Sequence, residues 1–302
     1  MAVLFWTVSI LLGVAVLAVA QQQYRYLRTR RDIVVDRQQL FHSSSAFHVC
    51  TVLALAPGQE LLSGVRGFVE SIERSGAKVV YAGKIAVNAM QSSQLPRADW
   101  DAFVLAEYPS REAYAVSEAS PEFQKVRSSF ATAYSLGMKR SPLVNLLLPV
   151  FLLVRRSADV LKRRPARVPF RPLEVANSFP TEQLAKRDQL VKGLLANRDY
   201  GKDACVVLNF MKNGSKEQRD ANSGYGSEMM GLMAEMRMGP THMGRAVTLE
   251  GDASFDQIAI VYYPGVEFFA DMLQSDFFGG IVGGKQLGDT LSSPTVPLLP
   301  HL

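Results

Sequence analysis

Two stretches of the sequence carry the same pattern, and each ends a predicted strand with a side chain capable of acid–base chemistry. The first, WDAFVLAEYPSREAYAVSEASPEF, runs from Trp100 to Phe123, and the second, FDQIAIVYYPGVEFFADMLQSDFF, runs from Phe255 to Phe278. Glu107 and Tyr262 stand at equivalent positions. A buried carboxylate can act as a general base, and a phenol can donate or accept a hydrogen bond. We therefore take Glu107 and Tyr262 as candidate catalytic residues.

The predicted strand places Glu107 on the same face as apolar side chains. Side chains alternate between the two faces of a strand, so Glu107 shares a face with Phe103 and Leu105. If this face lines the protein interior, desolvation is expected to raise the pKa of the Glu107 carboxyl. The alternative is that Glu107 lies at the strand end, where it reaches water or caps the helix that follows.

His242 is the third candidate catalytic residue. It precedes Gly244 at a predicted strand end and occupies the position that Tyr81 has in the first stretch. An imidazole there could be an acid–base group or a haem ligand, and the alternative is a surface residue. His48 is the other strand histidine. No second histidine or carboxylate stands at metal-ligand spacing, so the sequence predicts no metal site and leaves the cofactor unknown.

A run of methionines marks a second region of interest. SEMMGLMAEMRMGPTHM contains six of them between Met229 and Met243. Met230, Met233 and Met236 share one side of a predicted helix, and thioethers there could hold Cu(I). Adaptable packing against a sheet is the more common use of such a stripe, and it can also line a pocket for an apolar ligand. We assign no metal to it.

These candidates belong to a duplicated unit that covers most of the 302 residues. VCTVLAL (49–55) aligns with ACVVLNF (204–210), which pairs Cys50 with Cys205, and YAGK (81–84) aligns with HMGR (242–245). Two cysteines in a chain of this length indicate reduced core residues rather than a disulfide framework. We place the first repeat at 46–148 and the second at 202–302.

Each repeat reads as strand, helix, strand, strand, helix, strand, which is the ferredoxin-like βαββαβ order. The fold class is therefore predicted as α+β. Helices cover one face of such a sheet, and the other face is apolar too, so it needs a partner. Duplication supplies the partner within the chain. We expect the two repeats to form an intrachain pseudo-dimeric α/β barrel.

The first repeat resembles a bacterial family of small dimeric α/β-barrel proteins of unknown function, which carry a Glu-Phe-Pro-Ser…Ser-Pro-Glu-Tyr signature. The matching residues are Glu107, Tyr108, Pro109, Ser110, Ser120, Pro121, Glu122 and Phe123. The resemblance covers most of the first repeat and weakens in the second, where Tyr262, Gly265, Asp276 and Phe277 depart from the pattern. It implies the barrel fold and little about function, because such barrels serve monooxygenases, isomerases, haem proteins and non-catalytic binders.

The amino terminus is apolar and is followed by positive charge. MAVLFWTVSILLGVAVLAVA contains no charged side chain, and about 20 apolar residues match the thickness of a bilayer core. The basic residues that follow are Arg25, Arg28, Arg30 and Arg31. We expect a single transmembrane anchor at 1–23 and a basic juxtamembrane linker at 24–45, with the body on the cytoplasmic side of a bacterial inner membrane. The alternative is a signal peptide cleaved before Gln21.

Between the repeats, residues 149–201 form a predicted connector that is partly apolar and basic. Its candidates for contact with anionic lipid are Arg155, Arg156, Lys162, Arg163 and Arg164. A solvated linker is an equally good interpretation. Nucleic acid is disfavoured, because Phe151 and Phe170 are the only aromatic residues available for stacking between positions 149 and 175.

Two functions follow from these observations. The first is a membrane-anchored, non-catalytic module that binds a ligand or serves as an accessory subunit of a membrane protein complex. The alternative is a barrel enzyme, monooxygenase- or isomerase-like, that acts on an apolar small molecule with Glu107 as general base.

Overall fold

The computed structural model describes residues 2–33, 37, 41–174 and 181–302. Its strands are β1 (Phe47–Ala54), β2 (Lys78–Ile85), β3 (Ala102–Tyr108), β4 (Thr132–Lys139), β5 (Cys205–Lys212), β6 (Pro240–Thr248), β7 (Gln257–Tyr263) and β8 (Asp289–Pro297). Its helices are α1 (Ala2–Ile33), α2 (Leu61–Arg74), α3 (Arg111–Glu118), α4 (Pro121–Arg127), α5 (Val144–Leu161), α6 (Thr181–Leu195), α7 (Arg198–Gly201), α8 (Lys216–Met236), α9 (Val266–Leu273) and α10 (Asp276–Ile281).

The eight strands close into one antiparallel barrel in the order β1-β3-β2-β8-β5-β7-β6-β4. Within this order each repeat keeps its own four-stranded sheet, β4-β1-β3-β2 in the first and β8-β5-β7-β6 in the second. The two sheets join along β2–β8 and β4–β6. The same strand positions meet at both joints, so the repeats are related by an approximate two-fold axis. The predicted α+β barrel of two ferredoxin-like repeats is therefore confirmed.

Apolar side chains from both repeats fill the barrel interior. Phe103 and Leu105 of the first repeat and Phe210 and Ile260 of the second belong to one buried cluster and have no exposed surface. Burying an apolar side chain of this size contributes roughly 1.5–3 kcal/mol relative to leaving it in water. Each sheet thus covers the face that the other could not cover alone.

The outer face of the first sheet is closed by α2 and α4. The helix α2 begins after Glu60, whose carboxylate accepts a hydrogen bond from the backbone N–H of Ser63. Its buried side includes Phe68, whose ring packs against the rings of Phe123 and Phe130 at centroid distances of 5.6 and 5.8 Å. Large aromatic rings from three parts of the chain therefore fill the space between this helix layer and the sheet.

The second repeat packs its corresponding helix differently. A capping box at Ser215 and Gln218 begins α8, and Arg237 ends it in the left-handed conformation. The helix packs against α5 and against the single turn at 282–284. Between α8 and the sheet lies a cavity, which is described with the candidate site below.

A cluster of ion pairs holds α8 to the connector. The guanidinium of Arg167 is 8% exposed and pairs with Asp159 at 3.1 Å, Glu228 at 3.0 Å and Glu235 at 2.9 Å. The further pairs are Arg155–Asp159, Arg156–Glu235 and Arg164–Glu228. The basic connector therefore has an intramolecular partner in the acidic residues of α5 and α8. Contact of Arg155, Arg156 and Arg164 with lipid, like that of Lys162 and Arg163, stays a prediction.

The structure corrects the alignment of the first strands of the two repeats. Cys50 pairs with Leu105, whereas the equivalent residue Ile260 pairs with Leu208, so Leu208 and not Cys205 corresponds to Cys50. Cys50 accordingly points into the barrel, and Cys205 packs under the helices. A strand has a period of two, so an odd shift reverses the face of every residue. Both thiols are buried and free.

The predicted membrane anchor is not supported. In the described part of the chain, no helix combines the length and the apolar character that a bilayer crossing requires. The apolar residues at the amino terminus and the polar residues after them, Gln21–Gln23 and Arg25, belong to one unbroken helix, α1. This helix lies against α5. Gln23 donates a hydrogen bond to the Asn145 carbonyl at 3.3 Å. The arginines at 30 and 31 have no described side chains.

We predict that Gly244→Ala destabilises the barrel at the β4–β6 joint. A Cβ at Gly244 would meet the Lys139 carbonyl and the Met138 Cγ, the latter at 2.7 Å, and the carbonyl is fixed in the sheet. We expect the free energy of unfolding to fall by about 1–3 kcal/mol in denaturant titration. Gly67→Ala in α2 is the control, because nothing lies within 4 Å of its Cβ position. This change should raise stability by about 0.5–1 kcal/mol. Equal effects of the two substitutions on the free energy of unfolding would contradict the close packing at the β4–β6 joint.

Candidate functional site

Polar side chains form a chain of contacts inside the barrel. Glu107 Oε2 lies 3.2 Å from His48 Nε2. Arg140 Nη1 lies 3.4 Å from the same nitrogen and donates to His242 Nδ1 at 2.8 Å. His242 Nε2 lies 3.2 Å from the Tyr262 hydroxyl. We call these five residues the barrel network. Both repeats contribute to it, so it exists only when the barrel is closed.

Strand geometry explains how distant residues meet here. His48 of β1 stands directly opposite Glu107 of β3 in the antiparallel ladder. A β-bulge immediately before His242 interrupts the β6–β7 register, and the matching bulge occurs before Tyr81 in β2. Arg140 follows β4 and is anchored through a hydrogen bond from its Nη2 to the Thr241 carbonyl at 2.8 Å. The bulge and this bond bring the guanidinium and the imidazole of His242 together.

The protonation states follow from burial and from donor chemistry. Burial lowers the pKa of His48 to about 4, so at neutral pH its Nε2–H donates to the Glu107 carboxylate. The hydrogen bond from His48 lowers the pKa of Glu107, although desolvation acts in the opposite direction. A guanidinium can only donate, so His242 accepts at Nδ1 and carries its proton on Nε2, toward Tyr262.

The expected rise in the pKa of Glu107 is therefore wrong. Its face of β3 does point toward the barrel interior, as the alternation predicted, because Phe103 and Leu105 lie in the interior cluster. However, the side chain remains 23% exposed, and His48 stabilises its ionised form. Glu107 is thus a hydrogen-bonded carboxylate rather than a desolvated acid.

The structure brings Glu107, His242 and Tyr262 into one network, but it leaves no room for a substrate beside two of them. His242 and Tyr262 have no exposed surface, and neither does their neighbour Tyr81. A void large enough for water would give these side chains accessible area. The catalytic role of the three residues stays a prediction. In the described ranges no three or more histidine, cysteine, aspartate or glutamate side chains are grouped so that they could hold a metal ion.

The available space lies on the other side of the second sheet. A cavity of about 1040 Å³ separates the outer face of β5, β7 and β8 from α6, α8, α9 and α10. Its sheet wall includes Val207, Val261 and Tyr263, which alternate with residues of the barrel interior. Specific ligand pockets typically measure about 300–1000 Å³, so this cavity is large enough for a drug-sized molecule.

Methionine is the most frequent residue type in the cavity lining. The lining methionines are Met90, Met211, Met229, Met230, Met233, Met243 and Met272. Gly226, Met229, Met230 and Met233 lie on one side of α8 at helical spacing and face this space. Met230 and Met233 of the predicted stripe therefore line a cavity, as one of the interpretations predicted, whereas Met236 is not part of its lining. We call this space the methionine cavity.

A polar group stands in the wall of the methionine cavity. Lys285 Nζ lies 3.4 Å from Asn209 Oδ1 and 3.3 Å from Ser292 Oγ, and Ser292 donates to Asn209 Oδ1 at 2.8 Å. In the first repeat the equivalent ladder pair is Thr51–Ser135, joined by a 3.0 Å hydrogen bond and covered by helices. Burial lowers the pKa of Lys285 to about 8.

Sequence reasoning missed Lys285, Asn209 and Arg140. Lys285 follows two glycines in the stretch FFGGIVGGKQ, and a lysine beside glycines is typical of a solvated turn. The lone Asn209 within the apolar strand CVVLNFMK was the available signal, because a buried amide requires polar partners. Arg140 gave no signal, since a charged residue at a strand end is usually exposed.

The environment of His48 predicts a pH-dependent stability. Its pKa of about 4 in the folded protein lies below the 6.5 of an unfolded chain, so the unfolded state binds a proton first. Stability is present above pH 6.5 and is lost as the pH falls toward 4, by roughly 3 kcal/mol. The charged groups that face His48 are Glu107 and Arg140, and the ring of His42 lies 5.0 Å away.

Histidine NMR titration and urea unfolding between pH 4 and 7 measure this effect. His48→Gln keeps a donor toward Glu107 and should flatten the loss of stability in that range. A His48 signal that titrates near pH 6.5 would contradict the buried, neutral imidazole.

Comparisons with known proteins find solved structures of similar backbone arrangement. No family model and no curated protein matches the chain, so the family resemblance noted for the first repeat stays a prediction. An anthrone oxidase-like protein is 8% identical with a TM-score of 0.44, covering 85% of this chain and 94% of that chain. A mutant chlorite dismutase from Candidatus Nitrospira defluvii is 13% identical with a TM-score of 0.41, covering 87% and 96%.

A protein of unknown function from Rhodopseudomonas palustris is 19% identical with a TM-score of 0.23, and it covers 39% of this chain and 92% of its own. At these identities and TM-scores, the activities of the similar proteins carry no argument for this chain. The barrel assignment rests on the strand order itself.

Proposed function

We propose that this protein binds an apolar small molecule in the methionine cavity. The observation that carries the proposal is the cavity itself, which measures about 1040 Å³ and has a largely apolar lining rich in methionine. Apolar pockets with a few polar groups are the usual form of a small-molecule site. The proposal keeps the ligand-binding part of the first expected function, and it does not involve a membrane anchor.

The comparison of the two repeats supports this proposal. In the first repeat, Phe68, Phe123 and Phe130 fill the layer between helices and sheet. In the second, aromatic rings are also present, but unbranched thioethers and Gly226 line the side of α8 that faces the sheet, and space remains there. Apolar side chains that line an open pocket are in contact with water, so a ligand that covers them would be favoured. Methionine adapts its shape to varied ligands, which suits such a site.

Filling the cavity should abolish binding. Gly226 lines the cavity, and nothing lies within 4 Å of its Cβ position, so Gly226→Phe places a ring in the ligand space. We expect at least a tenfold loss of affinity for an apolar probe such as 1-decanol, measured by calorimetry or by displacement of a fluorescent probe.

Gly224→Phe is the matched control. It lies two residues away on α8, is exposed, also has open space at its Cβ position, and does not line the cavity. Its affinity should equal that of the unmodified protein. If Gly226→Phe binds the probe as tightly as Gly224→Phe does, the ligand lies elsewhere.

A second candidate function is catalysis on an apolar molecule with Glu107 as general base. The barrel network supports it, because the ionised Glu107 carboxylate can accept a proton and its hydrogen bond from His48 holds it in place. A substrate would have to approach Glu107 from its exposed side, since the interior is filled. Monooxygenase-like or isomerase-like chemistry remains part of this second candidate.

Glu107→Gln tests the second candidate, because the amide oxygen still accepts from His48 but cannot take up a proton. Turnover of an apolar ligand that copurifies with the protein should fall about 10²–10⁴-fold, followed by mass spectrometry. Glu122→Gln is the control, since that carboxylate is exposed and pairs with Arg74. Unchanged turnover in Glu107→Gln would remove Glu107 from the site.

A further inference from the structure

We propose that the ligand of the methionine cavity is an amphipathic anion, an apolar chain with a single negatively charged head group that Lys285 binds. This inference rests on the proposed function, because it names the class of molecule that the same cavity takes.

The chain places Lys285 in the cavity wall by a close approach to α8. The turn at 282–284 precedes it, and a Cβ at Gly284 would lie 3.2 Å from the Ala221 carbonyl and 3.4 Å from Tyr225 Cβ. This contact directs the lysine side chain back over β5 and β8. Its ammonium reaches Asn209 and Ser292 on the sheet, in a lining that is otherwise largely apolar.

The charges of the lining have one sign. Three cationic side chains, Lys186, Arg187 and Lys285, border the cavity, and its described lining includes neither aspartate nor glutamate. Lys285 forms no ion pair with any carboxylate in the described part of the chain. A half-buried ammonium without a counter-charge is unfavourable, and an anion in the cavity would offset this cost.

The hydrogen bonds of Lys285 leave capacity for such an anion. An ammonium group carries three donors, and the two protein acceptors, Asn209 Oδ1 and Ser292 Oγ, lie at 3.4 and 3.3 Å. Asn209 cannot turn its amide nitrogen toward Lys285 without losing its bond to the Ala259 carbonyl at 3.2 Å. The neutral oxygens therefore orient the ammonium, and the remaining donor can bind the head group.

Lysine is suited to this role in an apolar site. Its four-carbon stem packs along the hydrophobic lining while the ammonium group reaches the polar atoms of the wall. The methionines around it would contact the apolar chain of the ligand. A ligand without charge would leave the ammonium without a counter-ion and would bind more weakly.

Binding of four matched probes to the full chain tests the inference: decanoate, decyl sulfate, 1-decanol and decylamine, each below its aggregation limit at pH 7. We expect decanoate to bind at least tenfold more tightly than 1-decanol, and decylamine to bind most weakly. Equal binding of decyl sulfate and decanoate would identify an anionic head in general, and preference for decanoate would identify a carboxylate. Both outcomes support the proposal.

Lys285→Met provides the decisive variant, because methionine preserves the apolar stem and removes the charge. Its affinity for decanoate should fall roughly 10- to 100-fold while its affinity for 1-decanol stays within about twofold. Lys192→Met on α6 is the control, since that lysine is exposed and does not line the cavity. Thermal unfolding of each variant confirms that it is folded.

The outcomes separate this inference from the proposed function. If 1-decanol binds as tightly as decanoate, and Lys285→Met changes neither, the anionic head is wrong while the apolar site stands. If no probe binds, or if Gly226→Phe leaves every affinity unchanged, the proposed function fails as well.

Discussion

Mutual burial of two apolar sheet faces is the interaction on which the rest of the structure depends. Phe103 and Leu105 meet Phe210 and Ile260 inside a closed barrel, and each repeat alone would expose its half of this cluster to water. Closure also determines where polar groups can lie. Glu107 and Tyr262 occupy equivalent interior positions in the two repeats, and His48, Arg140 and His242 join them. The barrel network is thus a product of the duplication.

Because the barrel interior is filled, the proposed ligand site lies in the layer outside the second sheet. The ladder pair Thr51–Ser135 is covered by helices, whereas the equivalent pair Asn209–Ser292 faces open space and binds Lys285. The ion pairs of Arg167 with Glu228 and Glu235 explain part of this difference, because they fasten α8 to the connector rather than to the sheet. The two repeats therefore differ in this layer: it is packed in the first repeat and contains the methionine cavity in the second.

The features that follow from strand periodicity were predictable from the sequence. The match of Glu107 with Tyr262 and of Tyr81 with His242 is confirmed by the ladder register, and so is the barrel. The match of Cys50 with Cys205 is wrong. The ladder register aligns β1 with β5 at an offset that differs from the sequence alignment by an odd number of residues, and the similar sequences of the two strands concealed this. Lys285 and the pKa of Glu107 could not be predicted. Both depend on which side chains approach across elements, and periodicity carries no information about that.

The location of the ligand is the central claim, and the methyl NMR spectrum of the protein with labelled methionines tests it most directly. Titration with an apolar ligand should shift the methyl signals of Met229, Met233 and Met272, which line the cavity. The signal of Met138, which is buried in the barrel interior, should not move. Shifts at Met138 with none at the cavity methionines would place the ligand inside the barrel and contradict this account.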